Sequence, residues 1–139
     1  MRAADLRMGV RMIEGALTER NVARGLELLE GAAEAKYVPA LVYLAGLYEL
    51  GTNDIAINNK RSAGYYRQCA NTGVIGCQYA LGRVLVSDSL ERVEGMAWLE
   101  LAAERGSAEA HELFTRELAF TPPGQLEQAR AMKRILLPR

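Results

Sequence analysis

The sequence predicts an all-α fold, a right-handed α-solenoid of three to four helix–turn–helix repeats with a C-terminal capping helix. Three observations support this prediction: a pattern of small and large residues recurs along the chain, its spacing is constant except in one loop, and Ala, Leu, Glu and Arg are abundant. Within a single domain of residues 1–139, the repeats are expected at 4–39, 40–76, 77–109 and 110–139, the last one degraded and capping.

The first helix of each repeat carries a small residue, a large one four positions later, a second small one directly after it, and another large one. The copies are Ala4, Met8, Gly9 and Met12; Ala40, Leu44, Ala45 and Tyr48; Cys77, Leu81, Gly82 and Leu85; and Ala110, Phe114, Thr115 and Leu118. The helices are expected to end near Gly15, Gly51, Asp88 and Thr121. These positions share one helix face. A small residue beside a large one lets a neighbouring helix approach closely.

A second helix follows in each repeat. Its packing positions are Gly25, Leu28, Ala32 and Ala33; Ser62, Tyr65, Cys69 and Ala70; and Gly95, Trp98, Ala102 and Ala103. From its opening small residue to the next repeat the distance is always 15 residues, whereas the preceding loop varies. This is the spacing expected when two packed helices are fixed and one surface loop is free.

Turn residues separate the predicted helices. Asn71–Gly73 and Arg105–Ser107 supply a turn with glycine between repeats, and Lys36 stands at the same place in the first junction, where glycine would be easier. Pro39 suits the first turn of the next helix. After Pro122-Pro123-Gly124, a last helix is expected over residues 125–137, with Pro138 ending it.

These residues resemble a known family. The pattern Ala-x-x-x-Leu-Gly-x-x-Tyr-x-x-Gly, followed by Trp-x-x-x-Ala-Ala-x-x-Gly, is similar to the Sel1-like repeat, a relative of the tetratricopeptide repeat. The residues that carry it are Leu44, Tyr48 and Gly51 in the second repeat and Trp98, Ala102, Ala103 and Gly106 in the third. The closing FTPPGQLEQARAM resembles the family's terminal capping helix. The resemblance implies an adaptor that assembles complexes, often in bacterial secretion, envelope or signalling systems.

Cys69 and Cys77 are eight residues apart, as in the cysteine-rich subset of Sel1-like proteins, where such pairs connect adjacent helices. Here both are displaced by one position, onto the packing sites equivalent to Ala102 and Ala110. Two reduced, buried thiols that replace alanine are therefore favoured over a disulfide, mainly because no signal peptide is visible. The bridge is left open.

Charge and targeting signals restrict the function. Seventeen basic and seventeen acidic residues cancel, which disfavours nucleic acid and membrane as partners. The first twenty residues are interrupted by charges, so the expected location is cytoplasmic, or periplasmic if a signal peptide was trimmed.

Catalytic, metal and cofactor sites are not expected. His111 is the single histidine and is interpreted as a surface or junction residue. Glutamate pairs such as Glu109 and Glu112 are interpreted as solvated helix faces. No phosphate-binding or zinc-protease motif is present in the sequence.

A partner-binding stripe is predicted on the first helices, which line the concave face of tetratricopeptide-type solenoids. It comprises Leu6, Val10, Ile13, Val42, Glu49, Tyr79, Arg83, Val86, Glu112 and Arg116, with Tyr79 and Arg83 as anchors. The competing interpretation is that a neighbouring helix covers part of the stripe. The leading hypothesis is a non-enzymatic scaffold that binds a partner helix or peptide, with self-association through the solenoid ends left open. The alternative is an inhibitor or immunity protein that blocks one bacterial toxin or effector. An enzyme is a third, less favoured class.

Overall fold

The computed structural model describes residues 3–14 and 21–136, and in these ranges all regular secondary structure is α-helical. The helices are α1 (Ala3–Glu14), α2 (Val22–Glu34), α3 (Val38–Leu50), α4 (Asn59–Ala70), α5 (Ile75–Val86), α6 (Arg92–Glu104), α7 (Ala108–Leu118) and α8 (Pro123–Leu136). Gly15, Leu137 and Pro138, which the sequence placed at helix ends, lie outside the described residues. The prediction of an all-α fold of helix pairs is confirmed.

The chain divides into two compact units, residues 1–68 and residues 69–139. Unit 1 contains α1, α2, α3 and all but the last two residues of α4, and unit 2 contains those two residues and α5 to α8. Each unit therefore has its own helix pairs, and the division falls inside the second predicted repeat.

The core of unit 1 lies where α2 packs against α1 and α3. Ile13, Leu29, Leu41 and Leu44 are almost completely buried there. Burial of one such side chain contributes about 1.5–3 kcal/mol relative to leaving it in water. The small residues predicted to face the interior, such as Ala45, are buried as well.

In unit 2, α6 is the central helix and contacts α5, α7 and α8. Its Met96, Leu99 and Ala102 form one apolar cluster with Phe114 of α7 and Ala129 of α8. A group of charges lies beside this cluster, where Lys133 of α8 donates a hydrogen bond to Glu100 of α6 at 2.7 Å. The last helix thus packs on α6 through both apolar and charged contacts, as a capping helix should.

The three turns between repeats have the backbone that the sequence predicted. Lys36, Gly73 and Gly106 have φ of 62°, 95° and 105°. Lys36 N–H donates to Ala33 at 2.9 Å, and the following N–H donates to Ala32 at 3.1 Å, which closes the last turn of α2. A residue with a Cβ pays roughly 1–2 kcal/mol for this left-handed conformation, so the first junction is more strained than the other two.

Helix starts follow the predicted signals. Pro39 lies in the first turn of α3, and the Ser107 hydroxyl accepts a hydrogen bond from Ala110 N–H at 3.1 Å at the start of α7. The last helix begins at Pro123, two residues before the predicted start, because proline is well tolerated in the first turn.

Candidate protein-binding surfaces

The orientation of each first helix is set by where it crosses its second helix. In unit 1, α1 and α2 cross at Gly9 and Gly25, where a Cβ added to Gly25 would lie 2.7 Å from the Gly9 carbonyl oxygen. In unit 2, α5 and α6 cross at Gly82 and Gly95, where a Cβ added to Gly95 would lie 2.7 Å from the Val86 amide nitrogen. At both crossings the backbones touch directly, so little freedom remains in how each pair is oriented.

Ile13 and Val86 were predicted to belong to the binding stripe, and this prediction is wrong. Their side chains lie directly over Gly25 and Gly95, and only 1% and 4% of their surface is exposed. Each residue follows the glycine of its first helix by four positions, so it shares the face that the glycine turns towards the second helix. Both side chains are therefore part of the core.

The equivalent crossing of α3 and α4 uses polar contacts. The hydroxyl of Ser62, which is fully buried, donates to the Ala45 carbonyl oxygen at 2.8 Å. The Tyr66 hydroxyl donates to the Glu49 carboxylate at 3.1 Å. Glu49, another predicted member of the stripe, thus has its carboxylate bound to α4 and belongs to this crossing as well.

In unit 1, the apolar stripe residues of α1 and α3 differ in exposure. Leu6 and Val10 are half-buried, whereas Val42 is 41% exposed. Met8 is 52% exposed, although the sequence pattern had assigned it to packing.

A hydrogen bond connects the two first helices of unit 1. The Tyr43 hydroxyl of α3 donates to the Glu14 carboxylate at the end of α1, at 2.7 Å. Burial raises the pKa of Tyr43, and the hydrogen bond and negative charge of Glu14 raise it further, so the phenol stays protonated and remains a donor. The sequence analysis missed this pair because it joins residues 29 positions apart.

In unit 2, the two predicted anchors lie together. The Arg83 guanidinium lies over the Tyr79 ring, 5.7 Å from its centroid, and both side chains are half-buried. The ring also packs against the apolar cluster of α6 and α7, which fixes it in place. Glu112 and Arg116 are exposed on α7. This unit therefore presents a cation on the face of an aromatic ring and further charges on α7.

Cys69 and Cys77 form a disulfide bond, so the prediction of two reduced thiols is wrong. The bond joins the C-terminal end of α4 to the first turn of α5, and both cysteines lie within residues 69–139 and are buried. The eight-residue spacing shared with the cysteine-rich Sel1-like proteins was the better indicator. The lack of a visible signal peptide had been given more weight. The displaced register still brings the two Cα atoms to 5.8 Å, an ordinary distance for a bridge.

Other kinds of site are not evident in the described ranges. There, no three His, Cys, Asp or Glu side chains gather as a metal site would require. Nor does any described helix combine the length and the apolar character that crossing a bilayer demands. His111 is exposed on α7, where the sequence analysis placed it.

The solved structures that are similar to this chain include two Sel1-like repeat proteins. One is c5321, a protective antigen present in uropathogenic Escherichia coli strains that displays an SLR (Sel1-like repeat) fold; the TM-score is 0.67 at 25% identity, over 83% of this chain and 25% of that one. The other is a Sel1 repeat protein from Oxalobacter formigenes, with a TM-score of 0.62 at 26% identity, over 82% of this chain and 87% of that one. The chain thus spans a quarter of the first protein and most of the second.

No protein-family model and no curated protein matches the sequence. The likeness to solved structures nevertheless extends over most of the chain, and it agrees with the repeat pattern of small, large and glycine positions. Together with the helix pairs of both units, it confirms the resemblance that the sequence suggested: the chain is similar to Sel1-like repeat proteins and shares their fold.

Proposed function

We propose that the chain is a non-enzymatic scaffold that binds a helix or an extended peptide of a partner protein on the predicted stripe of its first helices. The Sel1-like repeat fold is generally a protein-interaction module, which supports the class of function. The observation that carries the proposal is Val42 of α3, an apolar side chain that is 41% exposed at the position equivalent to Leu6 of α1. Exposed apolar groups beside a few polar ones are what an amphipathic partner helix requires.

The proposed binding residues are a reduced set of those predicted. Leu6, Val10 and Val42 remain in unit 1, and Tyr79, Arg83, Glu112 and Arg116 remain in unit 2. The hydrogen-bonded pair of Glu14 and Tyr43 is added. In unit 2, Arg83 on the face of Tyr79 supplies a cation and an aromatic edge, two groups that are frequent at the energetic centres of interfaces.

Affinity purification from the native organism, followed by mass spectrometry, would identify the partner. Val42→Glu and Arg83→Glu should then each weaken binding at least tenfold, since each places a charge where an apolar group or a cation is needed. Glu27→Lys, on the exposed side of α2, is the matched control and should bind normally. If both stripe variants keep their helical circular dichroism and bind the partner as the wild type does, the surface is wrongly assigned.

The disulfide bears on where the protein works. Disulfides persist in oxidising compartments and are rare where glutathione keeps thiols reduced, so the bond between Cys69 and Cys77 favours the periplasmic alternative over the cytoplasm. Acid-quenched cells treated with a thiol-specific alkylating reagent should give protein without label at either cysteine. Labelling of both cysteines would instead favour the cytoplasm.

A further inference from the structure

A groove runs over the second helices of unit 1, away from the first-helix surface described above. It consists of two open pockets of about 390 and 380 Å³ that share Arg61, Tyr65 and Gln68 of α4. Lys60 and Gly64 line one pocket, and Lys36 of the turn after α2 lines the other. We call this surface the second-helix groove.

The aromatic wall of the second-helix groove is already ordered. The Tyr65 ring stacks on Tyr48, with ring centroids 6.1 Å apart and planes 14° from parallel. The Arg61 guanidinium lies over the Tyr48 ring, 4.9 Å from its centroid. Beside them Gly64 leaves open space, since a Cβ added there would meet nothing within 4 Å. A ligand entering here would find a cation and a ring held in position, so little side-chain freedom would be lost on binding.

Charge is distributed unevenly along the groove. The pocket that contains Lys60 and Arg61 has no carboxylate among the described residues that line it, whereas Glu30 and Glu34 line the other pocket together with Lys36. The nearest approach between Arg61 and Glu30 is 3.9 Å, and both side chains are well exposed, so this pair neutralises the guanidinium only weakly. The end with Lys60 and Arg61 therefore favours carboxylate groups, each of which carries one negative charge. The two glutamates at the other end disfavour a phosphate-rich polymer.

Lys36 supplies an independent indication that the groove is used. It occupies a left-handed backbone position where the two later junctions have glycine, so its side chain is present at a cost in stability. Its Nζ donates to the Gln68 Oε1 at 2.7 Å, which holds the ammonium group at the wall shared by the two pockets. Backbone strain that a substitution by glycine would relieve is expected to persist where the side chain contributes to function.

From these observations we infer that the second-helix groove binds an acidic segment of a partner protein. The carboxylates of that segment would contact Lys60, Arg61 and Lys36, and its backbone would lie along Tyr65 and Gln68. This site is separate from the first-helix surface, so two partners could be held at once. The inference does not depend on the proposed function of that surface.

The test uses the full chain and a capped peptide of four glutamates, followed by amide chemical shifts in NMR spectra. The peptide should bind with millimolar affinity and shift the amides of Gly64 and Gln68, but not that of Val42. A capped peptide of four glutamines is the neutral control and should cause no shift. Equal binding of both peptides, shifts confined to the first helices, or preferential binding of inorganic phosphate would each overturn the proposal.

Substitution of Lys36 separates binding from stability. Lys36→Gly should raise Tm by about 2–4 °C because the strain is removed. It should also weaken binding of the glutamate peptide about two- to fivefold. Lys60→Gln should weaken binding of the peptide by a similar factor, without the gain in Tm. Arg24→Gln, which removes an exposed cation of α2 outside the groove, is the control and should leave binding unchanged. If Lys36→Gly and Lys60→Gln both bind the peptide as the wild type does, the groove is not an acid-binding site.

Discussion

The helix pairs α1/α2 and α5/α6 cross through the same kind of contact. The pair α3/α4 crosses at the equivalent positions, but through a different kind of contact. The first two use glycines at the point of contact, Gly9 with Gly25 and Gly82 with Gly95, and cover them with aliphatic side chains. The third has Ala45 and Ser62 at these positions, with Glu49 and Tyr66 one turn further along.

The difference shows two solutions to one packing problem. Where both helices carry glycine, the backbones approach until a single methyl group would not fit. Where a side chain must be accommodated, Ser62 uses its hydroxyl to bond the facing carbonyl, and Tyr66 extends across to a carboxylate. A buried polar group is tolerable only when it is bonded, and both of these are.

The largest effect is expected from a methyl group at a glycine crossing. Gly95→Ala should lower the free energy of unfolding by about 2–3 kcal/mol, because the new Cβ would lie 2.7 Å from the Val86 amide nitrogen and the helices must separate. Its gain in helix propensity, at most about 1 kcal/mol, is smaller. Urea unfolding followed by Trp98 fluorescence measures the difference.

Gly76→Ala is the matched control for Gly95→Ala. Gly76 lies on α5 in the same unit and has open space around it, so its substitution should be neutral or slightly stabilising. Equal stability of the Gly76 and Gly95 variants would mean that the close approach of α5 and α6 has no energetic consequence.

A smaller effect is expected at the polar crossing. Ser62→Ala removes one buried hydrogen bond and should cost about 1 kcal/mol, and Ser62→Gly should cost somewhat more because glycine weakens α4. A chain in which Ser62→Gly is the more stable variant would show that all three crossings prefer glycine. Thermal unfolding followed by circular dichroism distinguishes these outcomes, with Ser89→Ala in an exposed loop as control.

The contact of Tyr66 with Glu49 should contribute less, because these groups are nearer to solvent. Tyr66→Phe keeps the ring and should cost roughly 0.5–1 kcal/mol. A double-mutant cycle with Glu49→Gln isolates the pairwise contribution. Strictly additive effects of the two substitutions would mean that the hydrogen bond adds nothing to the crossing.

The charged contact between α6 and α8 should have the smallest effect on the free energy of unfolding. It tests whether burial or hydrogen bonding determines the ionisation of Glu100. Burial opposes ionisation of Glu100, but hydrogen bonds from Lys133 and Arg130 outweigh it and hold the pKa of this carboxyl below its usual range. The contact therefore stabilises the fold above that range and loses its effect as the pH falls through the lowered pKa. Lys133→Gln should cost less than about 1 kcal/mol at neutral pH.

The same variant should approach the wild type in acid, because Glu100 is then protonated in both proteins. Chemical denaturation at neutral and acidic pH measures both differences, and Arg134→Gln, a neighbouring cation of α8, serves as control. A cost of Lys133→Gln that stays constant across this pH range would exclude the ion pair as its cause.

The sequence predicted those features that depend on local spacing. The small and large positions of each helix, the left-handed residue at Lys36 and the first-turn proline of α3 all follow from neighbours in the chain. Ile13 and Val86 were assigned to the wrong face because they were counted from the large residue, not from the glycine four positions before them. That glycine marks the close approach and was the signal to follow.

Features that depend on distant residues could not be predicted. The pair of Glu14 and Tyr43 and the stacking of Tyr65 on Tyr48 join different helices through side-chain conformations that no local pattern specifies. The disulfide lies between the features that local spacing predicts and those that depend on distant residues. Its spacing was visible, but whether two cysteines meet depends on the geometry of the turn between them.

The polar crossing of α3 and α4 also affects which helices can recognise each other while the chain folds. The second helices α2 and α6 both carry a glycine and, four positions later, a leucine that covers the glycine of the first helix. Either could therefore pack on α1 or on α5, in the same molecule or in another copy. Helix α4 is more selective. If it packed on α1 or α5, Ile13 or Val86 would stand at the position of Glu49, and the buried Tyr66 hydroxyl would lose its acceptor. Helices α3 and α4 therefore fit each other better than they fit the helices of the other pairs, and this disfavours an exchange of helices between neighbouring pairs.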